Sequence, residues 1–107
     1  MVTRVDLNSD MGEGYGPWKM GDDDALLDVV TSANIACGFH AGDADVMART
    51  MKIASERVVG IGAHPGFADT QGFGRRRIDL SHDELANLVS YQLGAAQAMA
   101  RLVGDRK

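Results

Sequence analysis

Three short clusters of polar residues and glycines constrain this chain more than any other feature. They occupy residues 6–13, 33–43 and 62–69, and each leads from apolar or small residues into acids, amides or a histidine in a glycine-rich turn. In a parallel α/β sheet, the carboxyl ends of successive strands lie along one edge. Because βαβ units repeat about every 30 residues, we expect the three clusters to meet around one ligand, as in an active site.

Hydrophobic periodicity and capping residues predict a βαβαβα order. Strands are predicted at residues 2–7, 32–36 and 58–63, and helices at 25–30, from Asp43 to about 57, and from a Ser81/Glu84 capping box to Gly104. This order implies right-handed crossovers and a parallel α/β sheet. Three strands alone leave unpaired edges. We therefore expect residues 1–107 to form a single domain that is the incomplete N-terminal part of a larger protein.

Charge and cysteine content exclude several function classes. The net charge of −4 gives no basis for non-specific nucleic-acid binding. No apolar run approaches the length of a membrane span, so no membrane association is expected. Cys37 stands alone and cannot form an intrachain disulfide, which favours a reducing compartment and predicts a cytoplasmic protein.

The first cluster places Asp6, Asn8 and Asp10 at alternate positions, so an extended backbone directs all three side chains to one face. Such oxygen donors suit a hard metal ion or the polar groups of a substrate. The alternative is a solvated edge with turn-forming residues.

The other two clusters each place a histidine after a predicted strand, His40 and His64. With a carboxylate from the first strand they would complete a two-histidine, one-carboxylate set for a divalent metal, or serve in acid–base chemistry without one. We predict Asp10, His40 and His64 as catalytic residues and candidate metal ligands. Asp43 has an equally good alternative role as the N-cap of a helix.

A basic segment in the loop that follows could hold a carboxylate or phosphate through its guanidinium groups, although charge runs are usually solvated. The predicted substrate-binding residues are Asn8, Glu13, Asn34, Asp43, Arg75 and Arg76.

The same segments resemble the LamB/YcsF family, whose members are assigned as the A subunit of bacterial 5-oxoprolinase. The matching motifs are DLNSDMGE at 6–13, TSANIACGFHAGD at 31–43, IGAHPG at 61–66, GFGRR at 72–76 and YQLGA at 91–95. Two positions depart from the family pattern: Val58, where glycine is common, and Ala44, where proline is common.

The resemblance implies a distorted (β/α) barrel of the glycoside hydrolase/deacetylase type. It also implies a small-molecule substrate, 5-oxoproline, whose lactam is opened to L-glutamate with ATP hydrolysis, in company with 5-oxoprolinase subunits B and C. Family members are roughly twice this length or more and carry a Lys-Pro-His-Gly-type motif beyond the region matched here. The chain has no P-loop pattern, so ATP is expected to bind largely outside it.

Two other functions stay open at this point. One is a metal-dependent deacetylase or amidohydrolase that needs no ATP, as the relatives of the barrel suggest. The other is a truncated, non-catalytic binding module. The sequence also leaves open whether the chain forms a homo-oligomer.

Overall fold

The computed structural model describes residues 2–105, in which strands and helices alternate. The elements are β1 (Asn8–Met11), α1 (Asp23–Leu27), β2 (Ser32–Ala36), α2 (Ala44–Glu56), β3 (Gly60–His64) and α3 (His82–Asp105). The strands form one parallel sheet in the order β1-β2-β3. The predicted βαβαβα order and the parallel α/β class are therefore confirmed.

The two faces of the sheet differ in chemistry because successive side chains of a strand point to opposite sides. On one face, Met11, Ala33 and Ile35 are buried under the helices together with Met47 and Met51 of α2. The register pairs Asp10 with Asn34 and Asn34 with Gly62, and these residues share the opposite face. The apolar core therefore lies on the helix side, and the polar side chains lie on the other.

The first strand begins later than its sequence suggests. The sequence predicts a strand over residues 2–7, but β1 begins at Asn8, and Val2 and Val5 are largely exposed. The Leu7 carbonyl accepts hydrogen bonds from the backbone N–H groups of Thr31 and Ser32, where β2 starts. Before Leu7 the chain runs past the start of β2, so these apolar residues have no strand to pair with among residues 2–105. Asn8 and Asp10 consequently lie within β1 rather than after it.

The end of α2 is a Schellman motif built on an unfavourable residue. The Val59 N–H donates to the Ala54 carbonyl at 2.8 Å, and the Val58 N–H donates to the Ser55 carbonyl at 3.2 Å. Val58 adopts a φ of 57° and is 90% exposed. A β-branched residue is strained in this left-handed region, where glycine is free of the penalty. Val58 therefore carries a structural cost at this position.

The capping box of α3 is present as predicted. The Ser81 N–H donates to Glu84 Oε1 at 2.8 Å, and the Glu84 N–H donates to Ser81 Oγ at 3.1 Å. The predicted core face is only partly right: Gln92, Ala96 and Val103 are buried, whereas the side chains of Leu85 and Val89 are exposed at its first turns. Among the helices of residues 2–105, α3 included, none has the length and apolar character needed to cross a bilayer.

Replacing Val58 with glycine is expected to stabilise the chain by about 0.5–1 kcal/mol, because the gain from relieving the left-handed strain exceeds the added freedom of the unfolded chain. Urea-induced unfolding followed by circular dichroism measures the change. Val58→Ala is the matched control, since it removes the β-branch and keeps the strained φ. Equal stabilisation by alanine would contradict this explanation.

Candidate active site

A cavity of about 220 Å³ opens at the carboxyl edge of the sheet and brings the three polar clusters together. A larger depression of about 410 Å³ lies beside residues 14–24 and α2, and none of the predicted catalytic residues lines it. The smaller cavity is lined by Asp10, Glu13, His40, His64, Pro65, Gly66, Phe73, Gly74 and Arg75.

Glu13, His40 and His64 form the tightest group of potential ligands in this cavity. One donor atom from each lies within 4.8 Å of the others. Both ring nitrogens of His40 and Nδ1 of His64 are buried without a hydrogen-bond partner. Buried polar atoms are almost always satisfied in folded proteins, so three unpartnered nitrogens in one cavity indicate a place for a ligand.

Asp10 lies next to this group rather than within it. Its Oδ1 atom is 3.6 Å from Nδ1 of His64, which is too long for a hydrogen bond and suitable for an ion pair if the imidazole is protonated. The predicted metal set of Asp10, His40 and His64 stays a prediction, and the geometry favours Glu13 as its carboxylate.

The backbone of Glu13 takes part in a contact between two loops. The backbone carbonyl of Glu13 accepts a hydrogen bond from the Gly42 N–H at 3.3 Å, which joins the loop after β1 to the loop before α2. Burial, followed by repulsion from Asp10, raises the pKa of the Glu13 carboxyl. A carboxylate with a raised pKa is a better proton acceptor near neutral pH than an ordinary one.

His40 is held by packing rather than by hydrogen bonds. It is 4% exposed, and its ring lies 4.6 Å from the His64 ring and 5.5 Å from the Phe73 ring, centroid to centroid. A Cβ atom on Gly66 would approach His40 Nδ1 to 2.5 Å, and one on Gly74 would approach His40 Cβ to 2.6 Å. Burial, together with the nearby His64, lowers the pKa of His40 and favours the neutral imidazole.

A ladder of side-chain hydrogen bonds leads across the polar face of the sheet to Asp10. Asn34 donates from Nδ2 to Asn8 Oδ1 at 2.6 Å and to Asp10 Oδ1 at 3.0 Å. Asn8 in turn donates to Ser32 Oγ at 2.8 Å. The sequence predicts Asn8 and Asn34 as substrate-binding residues, and in the structure they orient Asp10.

Asp43 is the N-cap of α2 and does not line the cavity. One carboxylate oxygen accepts the Val46 N–H at 2.8 Å and the other accepts the Gly16 N–H at 2.6 Å. The Gly16 bond, followed by the Val46 bond, lowers the pKa of Asp43. Both oxygens are therefore used in holding loops together, which corresponds to the structural alternative considered for this residue.

The two predicted arginines have different surroundings. Arg75 lines the cavity, and its guanidinium lies 5.4 Å from the centroid of the Phe73 ring. Arg76 instead forms an ion pair with Asp69, whose side chain also accepts the Gly72 N–H at 3.0 Å. Hydrogen bonding to Arg76 holds the pKa of Asp69 down at about 2. Arg75 is thus the candidate for contact with an anionic ligand, and Arg76 shapes the loop.

The sequence groups Asp69 with the third polar cluster without indicating its partner, and it places Gln92 on the core face of α3 without indicating a partner for the amide. Asp69 follows a glycine-rich turn, and nothing in that pattern indicates an ion pair with an arginine seven residues later. Gln92 did carry a signal, because a buried amide on an apolar helix face requires hydrogen-bond partners.

The chain is similar in sequence to proteins of one known family. The model of the LamB/YcsF family matches residues 5–106. The chain is 73% identical over 105 residues to the 5-oxoprolinase A subunit of Ruegeria pomeroyi, covering 98% of this chain and 42% of that protein. It is 58% identical over 106 residues to the 5-oxoprolinase A subunit of Methylococcus capsulatus, covering 99% of this chain and 41% of that protein.

A solved structure shows the same fold. The crystal structure of a lactam utilization protein from Thermus thermophilus superimposes with a TM-score of 0.92 at 44% sequence identity, covering 95% of this chain and 41% of that one. The chain therefore spans about two fifths of the length of the proteins it matches, consistent with an incomplete (β/α) barrel.

The Asp69–Arg76 pair predicts a specific loss of stability in acid. The pKa of Asp69 is lowered in the folded chain to about 2. The contribution of its carboxylate to the free energy of unfolding is therefore complete above the pKa of the unfolded chain, about 3.9. That contribution is lost as pH falls toward the pKa of the folded chain. The stability difference between the wild type and Asp69→Asn should therefore be constant above pH 5 or so and shrink below about pH 4. Denaturant unfolding across this range measures it. Asp79→Asn, which removes an exposed partner of Arg77, should show a small effect, and an equal effect would contradict the assignment.

Proposed function

The chain belongs to the LamB/YcsF family, and from that premise we propose that it carries catalytic groups of a 5-oxoprolinase. In this proposal the lactam of 5-oxoproline is opened to L-glutamate at the cavity, with ATP hydrolysis and with subunits B and C as partners. The names of the matched relatives and of the Thermus structure support a role in lactam chemistry.

The observation that carries the proposal is the set of unpartnered nitrogens of His40 and His64 beside Glu13. Leaving a buried polar group unsatisfied costs about 1–3 kcal/mol. A fold that contains buried, unpartnered polar atoms is stable only if its other interactions outweigh that cost. Such atoms therefore point to a functional site. The cavity that contains them lies at the carboxyl edge of a parallel sheet, where α/β enzymes place their active sites.

The size and charge of the cavity suit a small anion. Its volume of about 220 Å³ is below the roughly 300–1,000 Å³ of pockets that hold drug-sized ligands. Arg75 at its wall offers a guanidinium that can bind a carboxylate through two hydrogen bonds. 5-Oxoproline combines a small ring with one carboxylate and fits both properties.

Opening a lactam requires a proton to leave the attacking water and another to reach the ring nitrogen. Glu13, with its raised pKa, is suited to take the first proton. His64 lines the cavity, with its Nδ1 atom 3.6 Å from Asp10 Oδ1, and is placed to supply the second. A resonance-stabilised amide resists attack, and activation by phosphoryl transfer from ATP would lower that barrier. We assign the binding of ATP largely to subunits B and C, because the chain has no P-loop pattern.

A second function is favoured by the donor set itself. Two imidazoles and one carboxylate are a common ligand set for divalent transition metals, and Glu13, His40 and His64 fit it in type and proximity. A bound ion would polarise the amide carbonyl and lower the pKa of water. This arrangement supports a metal-dependent amidohydrolase that needs no ATP.

The test is the release of glutamate from 5-oxoproline by the chain mixed with subunits B and C, with and without ATP. Glu13→Gln should lower kcat by about 10²–10⁴-fold, because it removes the proton acceptor and keeps the shape of the side chain. Glu56→Gln is the matched control, since Glu56 is exposed at the end of α2 and does not line the cavity. It should leave the rate unchanged.

The cofactor dependence separates the alternatives. Loss of activity when ATP is omitted supports the 5-oxoprolinase proposal. Activity that survives without ATP and disappears with a chelator supports the amidohydrolase. If the mixture releases no glutamate while the chain binds subunits B and C, the chain is a binding module and the catalytic proposal is wrong.

A further inference from the structure

Gln92 of α3 holds both backbone groups of one residue at the active-site edge. Its side chain is buried, with 1% of the residue exposed. Oε1 accepts the Gly66 N–H at 2.8 Å, and Nε2 donates to the Gly66 carbonyl at 2.8 Å and to the Leu88 carbonyl at 3.1 Å. One amide therefore satisfies three backbone groups and fixes the loop after β3 against the helix.

Gly66 is in turn the wall against which the His40 ring rests. A Cβ atom on Gly66 would lie 2.5 Å from His40 Nδ1 and 2.7 Å from Cγ, closer than real Cβ contacts allow. The ring has no hydrogen-bond partner on either nitrogen among residues 2–105. The orientation of the His40 ring therefore depends on the residues packed against it. A displacement of Gly66 would move the ring.

We propose that Gln92 is a positioning residue of the active site, acting on His40 through Gly66. By keeping Gly66 in place, its amide holds His40 within reach of Glu13 and His64 and thereby sets the affinity of that group for its ligand. The inference rests on the proposed function only in treating these three residues as the binding group. No other side chain in the described part of the chain bonds to the Gly66 backbone.

A purely structural role for Gln92 makes a different prediction. If the amide only joins α3 to the sheet, removing it would lower stability and leave the His40 ring environment and ligand affinity unchanged. Measurements on the ring itself therefore separate the two roles, whereas a melting temperature does not.

The test compares Gln92→Met, which keeps the length of the side chain and removes the amide, with Gln97→Met, an exposed glutamine on the same helix. The probes are Co²⁺ binding, followed by visible absorbance, and the ¹⁵N chemical shifts of the histidine rings. Gln92→Met should weaken Co²⁺ binding, by no more than the roughly 10–100-fold that follows loss of a group bonded directly to a metal ligand. It should also shift the His40 ring signals and leave those of His82 in place. Gln97→Met should change neither.

A second variant keeps the proposal testable if Gln92→Met does not fold. Gln92→Glu keeps the shape of the side chain and removes the Nε2 donor to the Gly66 and Leu88 carbonyls, so it should shift the same ring signals. Unchanged His40 signals and Co²⁺ affinity in a folded variant would overturn the proposal. If the wild type binds no Co²⁺, the metal-dependent alternative fails, and the ring signals alone decide the role of Gln92.

Discussion

The parallel register of β1, β2 and β3 is the constraint from which the candidate site follows. Because side chains alternate along each strand, the register that buries Met11 and Ile35 under the helices also directs Asp10 and Asn34 to the opposite face. A slip of one residue would exchange the two sets and bury the carboxylate. The same apolar packing that stabilises the sheet therefore determines where the polar groups lie.

Loop contacts then convert a polar strand edge into a cavity. The backbone bond from Gly42 to Glu13 joins the loop after β2 to the loop after β1. In the loop after β3, Asp69 bonds to Arg76 and Gly72. Between them the His40 ring has close neighbours and no hydrogen-bond partner among the described residues. Ring nitrogens without a partner among the described residues are free to bind a ligand, and this makes the cavity a candidate for function rather than a chance depression.

Much of the fold was predictable from the sequence because its signals are local. The bounds of β2, the capping box of α3 and the N-cap role considered for Asp43 all depend on residues close in sequence. The start of β1 was not predictable, since residues 2–7, with Val2, Val5 and Leu7, resemble a strand and the register with β2 decides otherwise. The sequence predicts Glu13 as a substrate-binding residue near the histidines, but its place within 4.8 Å of them depends on contacts between distant loops, which spacing alone does not reveal.

The proposed site depends above all on the convergence of Glu13, His40 and His64 on one ligand. A crystal of the chain grown with Zn²⁺ and measured at the zinc absorption edge tests this directly. We expect one anomalous peak in the cavity, bonded to both imidazoles and the Glu13 carboxylate at about 2.0–2.2 Å. Ring nitrogens of His40 and His64 bonded instead to other protein groups, with no peak between them, would contradict it.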